Sequence, residues 1–142
     1  MLLDANILLY AVDRTSAHHP TAAAWLEATL NGERRIALPW QTIGAFLRIS
    51  THPRIATSPL TASQALGYVD RWLRATPTWI PPATERTAQV LAELYRDTTI
   101  TGHLVPDAQL AAIALEHGLV VCSADADFAR FPAVRWHDPL RG

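Results

Sequence analysis

The chain has 142 residues, of which 49% are hydrophobic and 18% are charged, and its formal net charge at pH 7 is -1. A chain of this length can bury a sufficient core without disulfides, so we expect a single domain over residues 1–142. The composition excludes a disordered or fibrous protein. The near-zero charge excludes a broadly basic nucleic-acid-binding surface, so any polyanion must be held locally.

The single cysteine and the N-terminus bear on the cellular compartment. Cys122 cannot form a disulfide framework by itself, and we interpret it as an inert core residue. The N-terminal MLLDANILLYAVD has no basic region, no long apolar region and no cleavage site, so it is not a secretory signal. No stretch approaches the roughly 18 apolar residues that a membrane-spanning helix needs. We therefore expect a cytoplasmic protein that does not enter a membrane.

The first part of the chain predicts two strands and three helices. Residues 1–3 are apolar and run into a helical pattern, which places Asp4 where a buried strand ends and a helix begins. A second helix extends from near Pro20 to just before Gly32. A short strand at residues 36–38 and a helix over residues 40–50 follow.

The second part of the chain repeats this alternation. Thr61 and Gln64 form a capping-box pattern, which opens a helix whose apolar stripe includes Leu66. A strand at residues 78–80 and a helix capped by Thr84 come next. Three further elements are predicted, namely a helix from Asp107 to Gly118, a buried strand at 119–122 and an extended piece around 134–136.

Short apolar strands separated by helices indicate an α/β domain with a mostly parallel central sheet, covered by helices on both faces. In such sheets, ligands bind beyond the carboxyl ends of the strands. Asp4 follows one predicted strand, and Asp125 and Asp127 follow another. Together with Asp107 at a predicted helix start, they could occupy one rim of the sheet.

Carboxylates that lie close together repel one another. Their ionised forms persist only where a cation neutralises them or where some of them take up protons. Mg²⁺ typically binds one or two carboxylates, keeps several waters and completes its shell with phosphate oxygens of a substrate. Such a site can neutralise a scissile phosphate and lower the pKa of a bound water. The clustered aspartates therefore favour metal-dependent phosphodiester hydrolysis.

Each aspartate also has a structural interpretation. Aspartate at a helix start commonly caps free backbone amides, so Asp107 or Asp125 alone is explained without a metal. Asp127 fits a solvated turn equally well. Asp4 differs, because a carboxylate directly after a buried strand, with no adjacent basic residue, has little structural reason to be there.

Three acidic segments, LLDANILLY, LVPDAQLAAIALEHG and CSADADF, resemble in order and spacing the acidic signatures of PIN domains over nearly the whole chain. The run LPWQTIGAFLRISTHPR is similar to the VapC toxins of bacterial toxin–antitoxin pairs. The resemblance implies a PIN-like three-layer α/β/α fold and an endoribonuclease that depends on Mg²⁺ or Mn²⁺. It also implies a structured RNA substrate such as tRNA or rRNA, a cognate antitoxin and a homodimer.

The acidic positions of the family map onto four aspartates of this chain: the principal metal ligands Asp4 and Asp107, the C-terminal Asp125, and its neighbour Asp127. The first three are the candidate catalytic residues, and all four are candidate metal ligands. The family commonly has a glutamate on the third helix, where Ala45 stands here, with Gln41 one turn earlier. This departure leaves open a weakened enzyme or a noncatalytic binding module with the same fold.

Other polar residues are candidates for supporting roles. Asn6 and Ser123 could orient a carboxylate, a phosphate or a metal-bound water, and both also fit local capping or turn roles. RNA needs positive charge near the acidic rim, and the candidate contacts are Arg14, Arg48 and Arg54.

Three tryptophans, Trp25, Trp40 and Trp72, are interpreted as core or helix-packing residues rather than as platforms for stacked bases. One or two of them could line a hydrophobic groove for an antitoxin helix.

An aspartate after a strand also suggests phosphotransfer, as in haloacid-dehalogenase-like phosphatases and response-regulator receivers. The phosphatases need a second aspartate two residues after the first, where this chain has Asn6. Both families use a lysine, whereas all 12 basic Lys and Arg positions here are arginine. Phosphotransfer is therefore the less favoured alternative.

Overall fold

A parallel sheet organises the chain. The computed structural model describes residues 1–141, and its strands are β1 (Leu2–Leu3), β2 (Ile36–Ala37), β3 (Thr78–Trp79), β4 (Val121–Cys122) and β5 (Trp136–His137). All the strand pairs in this part of the chain are parallel, in the order β3-β2-β1-β4-β5. The predicted α/β class is therefore confirmed.

Within the described residues, six α-helices and one 3-10 helix accompany the strands. They are α1 (Ala5–Val12), α2 (His19–Leu30), α3 (Trp40–Ser50), α4 (Ala62–Arg74), α5 (Glu85–Asp97), α6 (Leu104–His117) and the 3-10 helix Ala126–Arg130. The predicted caps are observed, since Thr61 forms a capping box with Gln64 and Thr84 caps α5. Gly118 ends α6 at φ +66°, a left-handed conformation that favours glycine.

The sheet separates two hydrophobic layers. Leu2 and Val121 pack into a cluster with α5, α6 and the 3-10 helix. The next residue of each strand, Leu3 or Cys122, faces the opposite cluster, which contains Phe46 and the side chains of α1 to α4. This alternation follows from the period of two along a strand. Burial of each large apolar side chain contributes about 1.5–3 kcal/mol, so the two clusters fix the helices on either face.

The register of the central strands positions the chain segments that follow them. Leu3 of β1 pairs with Cys122 of β4, and the Asp4 amide donates to the Cys122 carbonyl oxygen at 3.0 Å. The residues after β1 and after β4 are therefore neighbours at the carboxyl edge of the sheet, as the sequence predicted.

Several predicted boundaries were wrong by a few residues. The strands are shorter than predicted and leave out Leu38, Ile80 and residues 119–120, and the last strand lies at Trp136–His137. Helix α6 begins at Leu104, so Asp107 lies within its first turn rather than at its start. The early start is compatible with Pro106, because amides in the first turn of a helix have no intrahelical acceptor.

Two large apolar side chains are exposed although they were predicted to pack. Leu66 is 59% exposed, because α4 packs through Ala65, Val69 and Trp72 instead. Trp40 is 62% exposed, because α3 packs through a face that includes Phe46. Within residues 1–141, no helix is long and apolar enough to cross a membrane.

Candidate active site

Three carboxylates from two segments meet beyond the carboxyl end of β4. Asp107 extends from the first turn of α6, whereas Asp125 and Asp127 lie at the start of the 3-10 helix. One oxygen from each of the three lies within 4.8 Å of the others. We call Asp107, Asp125 and Asp127 the acidic group. A hard divalent cation is the ligand that such a set of oxygens suits.

Asp125 has a local structural role as well. Its carboxylate accepts a hydrogen bond from the Asp127 amide at 2.8 Å, so it caps the 3-10 helix. This bond engages one carboxylate oxygen through a single contact. Asp125 therefore keeps acceptor capacity for a cation, and the capping interpretation and the ligand interpretation are compatible.

Asp4 borders the acidic group and caps α1. One of its carboxylate oxygens accepts from the Ala5 amide at 2.7 Å, and the other accepts from the Ser123 hydroxyl at 2.7 Å. The expectation that Asp4 has little structural role was wrong, because these bonds stabilise the start of the helix. Its charge is close enough to Asp107 to contribute to the raised pKa of that residue.

Ser123 joins the two segments that carry the site. Its side chain is fully buried, and its oxygen accepts from the Asn6 amide group and from the Asp125 backbone amide, both at 3.0 Å. Since these two donors point at the hydroxyl oxygen, its proton is directed to Asp4. Asn6 also accepts from the Ala124 amide at 3.2 Å. Ser123 therefore orients Asp4 directly, and Asn6 acts on Asp4 only through Ser123.

The electrostatics of the site disfavour the ionised form of the Asp107 side chain. Burial, followed by repulsion from Asp125, Asp4 and Asp127, raises the pKa of Asp107 to about 7. Burial also raises the pKa of Asp4, although the bonds from Ser123 and Ala5 oppose this effect. Among residues 1–141, no side chain or amide forms a hydrogen bond or ion pair with the Asp107 carboxylate. A bound cation would relieve this repulsion.

Asp127 differs from Asp107 because an arginine and a histidine lie beside its carboxylate. The Nε of Arg130 lies 3.2 Å from one Asp127 oxygen, and the Nε2 of His103 lies 3.5 Å from the other. The sequence interpretation missed both residues. Arg130 lies three positions after Asp127, a spacing at which side chains on one helix meet. His103 is brought there only by the packing of α6.

The arginines predicted to contact RNA are exposed, but they lie away from the acidic group along the chain. Arg14 follows the C-terminal end of α1, and Asp4 precedes its first residue. The helix between them is about 12 Å long at 1.5 Å per residue. Arg48 and Arg54 are in the last turn of α3 and beyond it.

The third helix contributes no carboxylate to the acidic group. Ala45 is half-buried in α3 and Gln41 is exposed. The buried Thr42 hydroxyl donates to the Leu3 carbonyl oxygen at 2.7 Å, which ties the start of α3 to the end of β1. Cys122 lies beneath this edge, and burial raises the pKa of its thiol to about 11. A thiol at that pKa remains protonated near neutral pH, so it is not a nucleophile.

Comparisons with known proteins agree on the family. A model of the PIN domain matches residues 1–134. Ribonuclease VapC37 of Mycobacterium tuberculosis is 39% identical over 138 residues, covering 97% of this chain and 96% of that protein. Ribonuclease VapC33 of the same species is 38% identical with the same coverage.

Solved structures share the fold at low sequence identity. VapBC2 from Rickettsia felis, bound to a DNA fragment from its promoter, has a TM-score of 0.69 at 18% identity and covers 96% of each chain. VapC20 from Mycobacterium tuberculosis, described as a sarcin-ricin loop cleaving toxin, has a TM-score of 0.64 at 18% identity, over 94% of this chain and 98% of that one. From the family match and the VapC relatives that align along almost its whole length, this chain belongs to the PIN-domain family and, within it, to the VapC ribonucleases.

Proposed function

We propose that the chain is the toxin of a toxin–antitoxin pair and hydrolyses RNA phosphodiester bonds as a metal-dependent endoribonuclease at the acidic group. The observation that carries the proposal is the convergence within 4.8 Å of three carboxylates, one from α6 and two from the start of the 3-10 helix. VapC relatives at up to 39% identity are named ribonucleases, which supports the reaction class. The proposed catalytic residues are Asp4, Asp107 and Asp125.

The residues of the site fit a hard divalent cation. Asp107 and Asp125 would hold it, and Asp127 and Asp4 are the further candidate ligands. Carboxylate oxygens are ligands that Mg²⁺ and Mn²⁺ prefer. Asp107 supports this assignment, because it has no hydrogen-bond or ion-pair partner within residues 1–141, and burial and repulsion from three neighbouring carboxylates raise its pKa. When bound, such an ion supplies charge neutralisation at the phosphate and a water of lowered pKa.

The protein's own contribution is orientation. The Ser123 hydroxyl and the Ala5 amide fix both oxygens of Asp4 before any substrate arrives. Each of these oxygens keeps acceptor capacity, since a carboxylate offers about four lone-pair sites. Asp4 can therefore accept a hydrogen bond from an attacking water while remaining in place, which lowers the entropic cost of reaching the reacting geometry.

The substrate and partners follow from the relatives. We propose a structured RNA, such as tRNA or rRNA, because one structural neighbour is described as cleaving the sarcin-ricin loop. The proposed site of action is the cytoplasm, where such RNA is found. A cognate antitoxin is supported by neighbours that are VapBC complexes. A homodimer is proposed as the oligomeric state, and light scattering tests it.

A cavity of about 610 Å³ offers a place for an antitoxin helix. It lies between α1, α2 and α4, away from the acidic group, and Leu26, Trp72 and Arg71 contribute to its lining. The presence of Trp72 in this lining supports the proposal that a tryptophan borders the groove for an antitoxin helix. An amphipathic helix that packs its apolar face on such a surface is a common mode of recognition.

A noncatalytic binding module remains the second candidate, and the absence of a carboxylate at Ala45 favours it. Calorimetric titration with Mg²⁺ and with Mn²⁺ separates the two. We expect saturable binding that the Asp107→Asn substitution abolishes. The noncatalytic interpretation would be supported if millimolar metal did not bind and no RNA were cleaved.

The decisive experiment is regulated expression in a bacterial host of the wild type, Asp4→Asn, Asp107→Asn and Asp70→Asn, followed by mapping of RNA ends. We expect growth arrest and new RNA ends from the wild type and from Asp70→Asn, whose carboxylate is exposed on α4 and paired with Arg74. The two site variants should lose cleavage by about a thousandfold, because metal-assisted charge stabilisation is worth several kcal/mol. Equal cleavage by folded Asp107→Asn protein would refute the proposal.

A further inference from the structure

An exposed tryptophan lies at the edge of the sheet that carries the carboxylates. Trp40 is 62% exposed, whereas Trp72 is 4% exposed. A tryptophan side chain usually buries about 150–250 Å² in a core or an interface. A tryptophan that is left largely in water beside a functional site therefore suggests a binding role. Trp40 is the first residue of α3 and directly follows Pro39, which caps that helix.

The sheet order sets Trp40 beside the site. β2, which precedes Trp40, pairs in parallel with β1, which precedes Asp4, so both strands end at the same edge. Adjacent strands are about 4.8 Å apart. The bond from Thr42 to Leu3 at 2.7 Å holds the start of α3 against the residue before Asp4. Along this edge, therefore, Trp40 follows β2, Asp4 follows β1, and Asp125 and Asp127 follow β4.

We propose that Trp40 is a stacking platform for an unpaired base of the RNA, next to the phosphate that is cleaved at the acidic group. This inference rests on the proposed function and specifies the substrate as RNA that is single-stranded or looped at the cut site. Bases can stack on an aromatic side chain only where they are splayed out of a helix, which is how proteins read loops and bulges.

Electrostatics support a stacking contact. The chain has a net charge of -1, and the edge that must receive the RNA carries four carboxylates. Counterion release, which usually dominates affinity for nucleic acids, needs many Lys or Arg contacts to phosphate. An aromatic face contributes affinity without positive charge, and it accepts any base because every base has a π face.

A protein partner is the alternative occupant of an exposed tryptophan. RNA is favoured because Trp40 lies one strand away from Asp4, whereas the 610 Å³ cavity lies elsewhere, between α1, α2 and α4. The same experiment separates the two occupants.

The test measures RNA binding and cleavage separately. RNA binding is measured by fluorescence anisotropy in an Asp107→Asn background. The probe is a fluorophore-labelled RNA that carries in a loop the cut site mapped for the wild type. If no cut site is found, the probe is a mixed single-stranded sequence. In this background we compare Trp40→Ala, Trp40→Phe and the control Tyr95→Ala, which removes an aromatic ring that is 44% exposed on α5. The same Trp40 and Tyr95 substitutions in the otherwise wild-type chain are assayed for KM and kcat.

We expect Trp40→Ala to weaken RNA binding and raise KM by about 5- to 100-fold, the effect of losing one stacked base. In the otherwise wild-type chain, the kcat and the calorimetric Kd for Mn²⁺ should stay near the wild-type values. Trp40→Phe should recover much of the RNA affinity, and Tyr95→Ala should behave as its parent. If the RNA affinity of Trp40→Ala were within twofold of that of its parent, the inference would be overturned. A lower oligomeric mass of Trp40→Ala than of its parent would then assign Trp40 to a protein interface. Trp40-dependent RNA binding by a wild type that cleaves nothing would support this inference and refute the proposed function.

Discussion

Asp4 and Asp107 lie at the same site, but their carboxylates have different surroundings. Both oxygens of Asp4 accept hydrogen bonds, from Ala5 and from Ser123. Asp107 has no such donor within residues 1–141, and repulsion from neighbouring carboxylates adds to burial in raising its pKa to about 7. One side of the site is therefore stabilised by the protein itself, and the other side needs a cation or a proton. Stability and metal binding should be linked mainly through Asp107.

The hydrogen-bonded side can be broken at Ser123. Ser123→Ala removes a donor to Asp4 and an acceptor for Asn6 and for the Asp125 amide, in a place with no access to water. Each buried group left unpaired costs about 1–3 kcal/mol, so we expect a loss of about 2–4 kcal/mol in the free energy of unfolding. Urea denaturation of the metal-free protein measures it.

Ser50→Ala is the matched control for this loss. Ser50 is 5% exposed, and its hydroxyl has no hydrogen-bond partner in the described part of the chain. Removing it should therefore leave the free energy of unfolding unchanged or raise it slightly. If Ser123→Ala were as stable as Ser50→Ala, the network around Asp4 would contribute nothing to the fold.

The repulsive side predicts an unusual pH dependence. Because the folded-state pKa of Asp107 is about 7 and the unfolded value is about 4, the folded state binds more protons between these values. Metal-free stability should therefore fall as the pH rises through this window and reach its full loss above the folded pKa. The shift corresponds to about 4 kcal/mol, which we reduce to about 1–2 kcal/mol because Asp107 is half-exposed and screened by water.

Asp107→Asn should remove most of this dependence. We expect the variant to be more stable than the wild type at about pH 8 and nearly equal to it at about pH 4, as measured by denaturation in EDTA. Asp13→Asn is the control, since hydrogen bonds from Thr15 lower the pKa of that exposed carboxyl. Mn²⁺ should reverse the wild-type trend, because only the ionised carboxylate binds metal. A wild-type profile that stayed flat without metal would contradict the assigned repulsion.

The sequence predicted the fold and the proximity of the aspartates for a physical reason. Apolar strands, helix caps and strand-end aspartates are local patterns, and Asp4 and Asp125 come together because β1 and β4 pair in register. Strand lengths and the start of α6 were missed, because short strand ends carry no distinct local signal and Pro106 is tolerated in a first helical turn.

Two features of the site depended on packing and could not be predicted from the sequence. The exposure of Trp40 follows from which face of α3 is buried, and helical spacing alone left that choice open. His103 reaches Asp127 only after α6 has docked. The pairing of Arg130 with Asp127 was readable from their spacing, but a near-neutral chain of 142 residues with 12 arginines offers many such pairs.

Substitution of Arg130 tests the contrast between the stabilised and the repulsive sides of the site, with the smallest expected change in the free energy of unfolding. Its guanidinium lies 3.2 Å from Asp127 and is largely exposed, so Arg130→Ala should change the free energy of unfolding by less than about 1 kcal/mol. Removing this positive charge should make the site more attractive to Mn²⁺. The repulsion of a divalent ion roughly 6 Å away is about 1.4 kcal/mol in water, and salt at about 0.15 M roughly halves it, so we expect about threefold tighter binding. Calorimetry measures the Kd, and Arg141→Ala, which breaks the similar pair with Asp138, is the control. Weaker Mn²⁺ binding by Arg130→Ala alone would mean that Arg130 holds Asp127 in a ligand position, and that Asp127 belongs with the stabilised side of the site rather than the repulsive one.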